Sequence, residues 1–367
     1  MLSFGHAKRV ARAQKSGRAG VMVSRDLDFA HRHGILGGGV WLIDSTKYID
    51  HYPEPSRLAT IFETVQSNGG GAFNVLVDLA KLGADFPLTG VGAIGADAAG
   101  DWILEQCRLH KIDTGAFQRH PSIPTAGTDV MTEIGSGRRT FFYQPGANAK
   151  LNAAAFPVAK STARILYLGY PGLVPGLDRI DSTSGRTGVV NLFADAHQQG
   201  FVIAADLVSA ETTDWAGVAT ALPLIDLLFV NEWEAGKILG LPPEPEECIN
   251  AETLVPLGRA LLGRGVRRAV IVHSQRGAVC VPTGAHSVQL GAVKVPPEEL
   301  KGTCGAGDAL AAGFLLGFHR GQAWSDCLEL AICAAATCLH DLSSSAGIRS
   351  SQDCLAYGRA RGFADFT

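Results

Sequence analysis

Residues 301–321 read KGTCGAGDALAAGFLLGFHRG. One carboxylate, Asp308, stands at the mouth of an apolar helical stretch, and Gly305, Ala306 and Gly307 directly before it carry almost no side chain. Backbone N–H groups at a helix N-terminus are unpaired and partly positive, so small residues there let an anion approach the main chain. Asp308 itself has two readings. An acid in the first turn of a helix caps it and favours its dipole. Beside an anion cradle, the same carboxylate can accept the proton of an attacking alcohol. Phosphoryl transfer asks for little beyond such a base, positioning and charge neutralisation.

A second constellation lies in FVNEWEAGKILG (229–240), where Asn231 closes an apolar run and Glu234 follows three residues later. Both side chains then leave one strand-to-helix corner, where oxygen groups can hold Mg²⁺ directly or through water. Asn at the N-cap with Glu at the third helical position equally describes a capping box. A third lies near the start of the chain. Asp44 ends an apolar run, and NGGGAFN brings Gly69, Gly70 and Asn74. Carboxylates and amides of this kind suit the vicinal hydroxyls of a polyol. The alternatives are a turn cap for Asp44 and a tight turn for the glycines.

The elements that must position these residues can be read from periodicity. GILGGGVWLID (34–44) reads as one buried strand and STKYIDHYP as an exposed ribbon. SNGGGAFNVLVDLAKLG (67–83) places a glycine cluster before an amphipathic helix with Val75, Leu76, Leu79 and Leu82 at helical spacing and Gly83 as its stop. TAGTDVMTEIGSGRRTFFYQ alternates around a GSG turn, as an exposed hairpin does. From residue 164, the runs RILYLG, FVIAAD, LIDLLFVN and RAVIVH alternate with helical stretches. That pattern predicts an α/β fold whose parallel sheet is covered on both faces, with a small β lid built from about 45–60 and 115–145. Asp206, Asn231 and His273 then collect at strand carboxyl ends, where open parallel sheets bind ligands.

Composition sets outer limits. The chain has 367 residues, 46% hydrophobic and 18% charged, with a formal net charge of -3, which gives no sign of a nucleic-acid or membrane-surface partner. Its eight Cys include no C-x-x-C pair, as expected of free thiols in a reducing cytoplasm. No run approaches the ~20 apolar residues of a membrane span. Residues 1–34 are rich in Arg and Lys and lack a sustained apolar stretch. They read as an extension, solvated or partly helical, with a transit peptide as the alternative and a secretory signal excluded.

Taken in order, GGGAFN (69–74), NEWE (231–234) and GTCGAGD (302–308) resemble the three motifs of the ribokinase-like, or phosphofructokinase-B, carbohydrate kinases. PGANAKL (145–151) and GAIGADAAGD (92–101) are similar to further segments of that family. The resemblance covers about residues 35–350 and leaves 351–367 as a C-terminal tail. It implies a three-layer α/β/α domain with a mostly parallel central sheet, a β-sheet lid, and a cytoplasmic kinase that uses ATP and Mg²⁺. Asp308 would be the base, and the amides of Gly305, Ala306 and Gly307 the anion hole. Asp44, Gly69, Gly70 and Asn74 would line the pocket of a sugar, sugar acid or nucleoside. Asn231 and Glu234 would organise Mg²⁺ through water, and Ser274, Gly277 and Thr303 would meet ATP. The lid would close over the substrate and pair two subunits as a homodimer.

Three departures stand out. Gly302 replaces the first Asp of the family's C-terminal signature, a position that helps hold a monovalent cation, so the resemblance does not carry a potassium site over to this chain. VHSQRGA (272–278) has Val272 and Ser274 where the family has Thr and Gly. Leu42, Gly71 and Tyr170 stand where ribokinase has sugar-binding polar groups, which argues against ribose as substrate. Two rival readings follow from other features. GVGAIG (90–95) matches the dinucleotide pattern G-x-G-x-x-G, and Gly302 with Val272 would also suit a member that binds sugar or nucleotide without turnover.

Overall fold

The computed structural model describes residues 32–367. In chain order, the first elements are β1 (Ile35–Gly39), β2 (Leu42–Ile49), β3 (Ile61–Gly69), α1 (Gly71–Lys81), β4 (Leu88–Val91), β5 (Ala93–Gly95) and α2 (Ala98–Leu109). There follow β6 (Gln118–His120), β7 (Ala126–Glu133), β8 (Arg139–Gln144), β9 (Ile165–Gly169), α3 (Pro175–Asp178), α4 (Gly188–Gln198), β10 (Val202–Asp206) and α5 (Trp215–Ala219). The last are β11 (Leu227–Asn231), α6 (Glu232–Leu239), α7 (Ala251–Gly263), β12 (Ala269–Ser274), β13 (Gly277–Pro282), β14 (Val288–Gly291), α8 (Ala306–His319), α9 (Trp324–Cys338) and α10 (Ser351–Arg361).

The main sheet has the order β14-β13-β12-β11-β10-β9-β1-β4. Its pairs from β4 to β12 are parallel, and β13 and β14 add an antiparallel edge. β9, β10 and all but the last residue of β11 are buried throughout, because helices cover both faces. Along β12 the side chains divide by the period of two: Ala269 and Ile271 join the core that contains α1, α8 and α9, while Val270 and Val272 join the one that contains α4, α6 and α7. This is the three-layer arrangement expected.

The lid is a second sheet of order β3-β2-β7-β8. Here the structure corrects two expectations. Residues 34–44 are not one strand. Gly39 turns the chain out of the main sheet at φ +122, where a Cβ would stand 1.8 Å from the carbonyl oxygen of Gly169, and the chain re-enters pairing in the lid at Leu42. Asp44 is therefore a lid residue. The lid also takes β3, which lies outside the expected 45–60, and β7 and β8 in place of all of 115–145; β6 pairs with β5 in a separate two-stranded sheet. The first four residues of β3 are all exposed, so it shows no inward-facing alternation to betray a strand.

Three further expectations are corrected or completed. Residues 351–367, read as a C-terminal tail, carry α10, which packs on α9; Cys354 is buried, and Phe366 sits in the core while its carbonyl accepts from Ala251. GVGAIG spans β4 and β5, strands of different sheets, so it does not form the strand-to-helix turn of a dinucleotide site. Of the expected extension, residues 1–31 lie outside the described residues. Arg32 belongs to the domain: its guanidinium donates to the carbonyls of Ala163, Ser161 and Gln199 and lies 3.9 Å from the Phe201 ring. Among the described residues, no helix is long and apolar enough to cross a membrane, and the eight cysteines are free thiols.

Candidate active site

The carboxyl ends of β10, β11 and β12, the N-terminus of α8 and the inner face of the lid enclose a cleft of about 790 Å³. Of the residues singled out in the sequence, Asp44, Gly70, Asn74, Asn231, Glu234, Thr303 and the run from Gly305 to Asp308 line it.

Asp308 lies in the first turn of α8 and is 6% exposed. Its carboxylate is held from two sides. Asn74 Nδ2, on the first turn of α1, donates to Oδ2 at 2.8 Å, and the hydroxyl of Tyr170 donates to Oδ1 at 2.7 Å. Asn74 is oriented in turn by Asn68, whose Nδ2 donates to Asn74 Oδ1 and to Ser345 Oγ. Burial raises the pKa of Asp308, and the donors Asn74 and Tyr170 pull it back down. The carboxylate does not cap α8, because the N-cap is Gly305 and no side chain bonds that helix end. The first amides of α8 thus face the cleft without a protein acceptor, as an anion site requires.

The small residues of the loop have different reasons. Gly305 adopts φ +76, and a Cβ there would lie 2.4 Å from the carbonyl oxygen of Ser344, so backbone conformation and packing demand it. A Cβ on Gly307 would meet only the ring of His273, at 3.4 Å. Clearance toward the cleft is therefore the better account of Gly307. Gly69, expected in the substrate pocket, stands behind it: a Cβ there would come within 2.4 Å of the Asp44 carboxylate, so Gly69 makes room for that side chain. Gly71 does the same for the ring of Tyr170, at 2.7 Å.

Asp44 reaches the cleft from β2. Burial and the nearby Asp308 push its pKa up to about 7, against a hydrogen bond with Thr128. Asp206, at the end of β10, is buried and raised further by Asp308 and Glu234. At the far wall, Asn231 and Glu234 do form a capping box: Asn231 Oδ1 accepts from the Glu234 amide at 2.8 Å and Glu234 Oε2 from the Asn231 amide at 2.9 Å. Glu234 Oε1 also accepts from Ser209 Oγ and Asn231 Nδ2. Burial pushes Glu234 up to about 7. With both oxygens so engaged, the pair fits a Mg²⁺ held through water and not a direct ligand set. Among the described residues no group of three or more His, Cys, Asp or Glu side chains converges as a metal site.

Two expected nucleotide residues lie apart from the cleft walls. Ser274 Oγ bonds the carbonyl of Gly277 within the β12–β13 turn, where it also accepts from the Arg276 amide. Sequence reasoning passed over Arg139 altogether, left His273 and Asp206 as bare strand ends, and read Tyr170 only as a lost polar group. All four line the cleft. For Asp206 and His273, the position at a strand's carboxyl end was the available signal; for Tyr170 and Arg139, nothing local marks them.

Comparison with known proteins agrees with this geometry. The family model described as pfkB family carbohydrate kinase matches residues 40–349. A cytidine kinase of Thermococcus kodakarensis is 25% identical over 264 residues, 72% of this chain and 84% of its own length. A ribokinase of Arabidopsis thaliana is 26% identical over 306 residues, 79% of this chain and 73% of its own. Among solved structures, Arabidopsis thaliana ribokinase complexed with ribose and ATP superimposes with a TM-score of 0.71 at 21% identity, covering 89% of this chain and 98% of that one. Giardia lamblia ribokinase gives 0.72 at 20% identity, covering 88% and 97%. A match over most of the chain, on a fold of the same kind, means that this protein belongs to the pfkB family of carbohydrate kinases.

Proposed function

We propose that the protein transfers the γ-phosphoryl group of ATP to a hydroxyl, primary in the simplest case, of a small sugar, sugar acid or nucleoside. The observation that carries this reading is the placement of Asp308. It lies buried in the first turn of a helix that no side chain caps, with Asp44 across the same cleft. ATP would supply the phosphoryl group, and Mg²⁺ would neutralise charge on it. Asp308 takes the proton of the attacking hydroxyl, while Asn74 and Tyr170 fix its carboxylate. The first amides of α8, from Gly305 to Gly307, stabilise the charge carried by the moving group. Asp44, Gly70 and Asn74 face the acceptor, and the lid strands exclude water. Asn231 and Glu234 hold the metal's water shell, and Thr303 faces the phosphates. Exposed Phe62 on β3 and Phe142 on β8 give the lid apolar surface suited to pairing two subunits.

The test is a coupled ADP-release assay over sugars, sugar acids and nucleosides. Asp308→Asn is expected to lower kcat by about 10²-fold or more, while ATP still raises Tm. Near-normal turnover in that variant would remove Asp308 as base. Binding without ADP release in the wild type would leave a protein of this fold that recognises its ligand without turnover.

A further inference from the structure

Arg139 begins β8, on the lid, and its side chain lines the cleft. Its hydrogen-bond partner is weak for a cation: Nη1 donates to the thiol Sγ of Cys304 at 2.9 Å. Among the described residues, no carboxylate lies within ion-pair distance of it, whereas the adjacent Arg138 pairs with Glu133 at 3.9 Å. The walls around it are rich in acid, with Asp44, Asp206, Asp308 and Glu234 all present. A neutral polyol needs only such acceptors and amides. A guanidinium is the group that recognises carboxylate or phosphate, through paired N–H donors.

Resting on the kinase reading of this cleft, we infer that Arg139 makes the acceptor an anionic sugar, one bearing a carboxylate or a phosphate besides the hydroxyl that is phosphorylated. The location favours the acceptor over the nucleotide as the source of the anion. Arg139 comes from the same lid sheet as Asp44, and its partner Cys304 precedes the N-cap of α8. Arg139 pairs with Thr132 and Thr132 with Tyr48, which lies four residues along β2 from Asp44, so Arg139 and Asp44 share one face of the lid. Asn231, Glu234 and Ser209 mark the opposite end. Closing the lid on a neutral sugar would leave the guanidinium against a thiol with no carboxylate paired to it directly, which is costly; an anionic substituent supplies that partner.

The experiment measures Tm shifts and ADP release over matched probes: D-gluconate with D-glucose, D-fructose 1-phosphate with D-fructose, and a set of aldonates, sugar monophosphates, neutral sugars and nucleosides. The best ligand of the wild type is expected to be an acid or a phosphate. Arg139→Met is expected to lower the preference for that ligand over its neutral partner about tenfold or more, through KM. Arg139→Lys, which keeps the charge without the fork, should recover part of it. The carboxylate and phosphate arms tell the two anions apart. A best ligand without an anionic group overturns the inference, as does a panel in which no anionic member raises Tm. An equal loss of kcat on charged and neutral substrates in Arg139→Met overturns it too, and moves the residue to the transferring phosphoryl group. Anion-dependent stabilisation that needs Arg139 but comes without ADP release upholds it while rejecting the kinase reading.

Discussion

The hydroxyl of Tyr170 donates a 2.7 Å hydrogen bond to Oδ1 of Asp308. A donor to a carboxylate favours its ionised form, so this contact lowers the pKa that burial raises. Tyr170→Phe should therefore move the acidic limb of the kcat/KM profile to higher pH and lower kcat at neutral pH by about three- to tenfold. A pH–rate profile of the two proteins checks this. An unmoved limb would mean that Tyr170 does not touch the working base.

The glycines at 305 and 307 should separate stability from chemistry. Gly305→Ala puts a methyl 2.4 Å from the Ser344 carbonyl oxygen on a backbone at φ +76, and it is expected to cost about 2 kcal/mol or more of stability. Gly307→Ala meets only the His273 ring and lies in a helix, where Ala is the better former, so Tm should hold or rise slightly. Its kcat/KM should nonetheless fall about tenfold or more as the methyl crowds the anion hole. Thermal denaturation and steady-state kinetics on both variants give the answer.

Asp44 predicts a pH dependence of stability. Its folded pKa of about 7 exceeds the ordinary 3.8, so between these values the folded protein holds a proton that the unfolded chain has lost. Stability is then drained as pH rises through that window and stays low above it. Asp44→Asn removes the effect: its Tm relative to wild type should climb between about pH 4 and about pH 7 and level off above that. A Tm difference independent of pH would show that the acid is not raised.

Lys81, at the end of α1, donates to the carbonyls of Ser345 (2.5 Å) and Ala346 (2.9 Å), in the same loop whose Ser344 packs on Gly305. A tethered ammonium thus supports the anion-hole loop, and at Gly302 no carboxylate is offered to a bound ion. Rates in K⁺ and Na⁺ at equal ionic strength should agree, and Lys81→Met should lower kcat about tenfold. Strong stimulation of the wild type by K⁺ would contradict this.

How far the sequence carried is clearest at particular residues. The buried strands from 164 onward announced themselves because both faces are apolar, and GTCGAGD marked the start of α8 because its small residues stand directly before an apolar helical run. The Asn231–Glu234 pair was legible only as an ambiguity. The structure shows the capping box and places both residues on the cleft wall as well. Tyr170 and Asp308 are 138 positions apart and Arg139 and Cys304 are 165 apart, so these contacts exist only once the lid and sheet have folded. The exposed strand β3 was invisible for the converse reason, since burial alternation is what a strand writes into sequence.

The joint between the main sheet and the lid, Val40 and Trp41, is wholly buried. Trp41 is clamped on three sides: its amide donates to Asn148 Oδ1, its carbonyl accepts from Asn148 Nδ2, and its indole N–H donates to the Val91 carbonyl. A pivot at that point would break all three bonds at once. A lid that closed over the cleft would therefore bend as a leaf spring and not swing as a door: the bend would fall along β2 and β7 beyond the clamp, with Asp44, two residues past the buried Leu42, near its root and Arg139, paired with Thr132, near its tip.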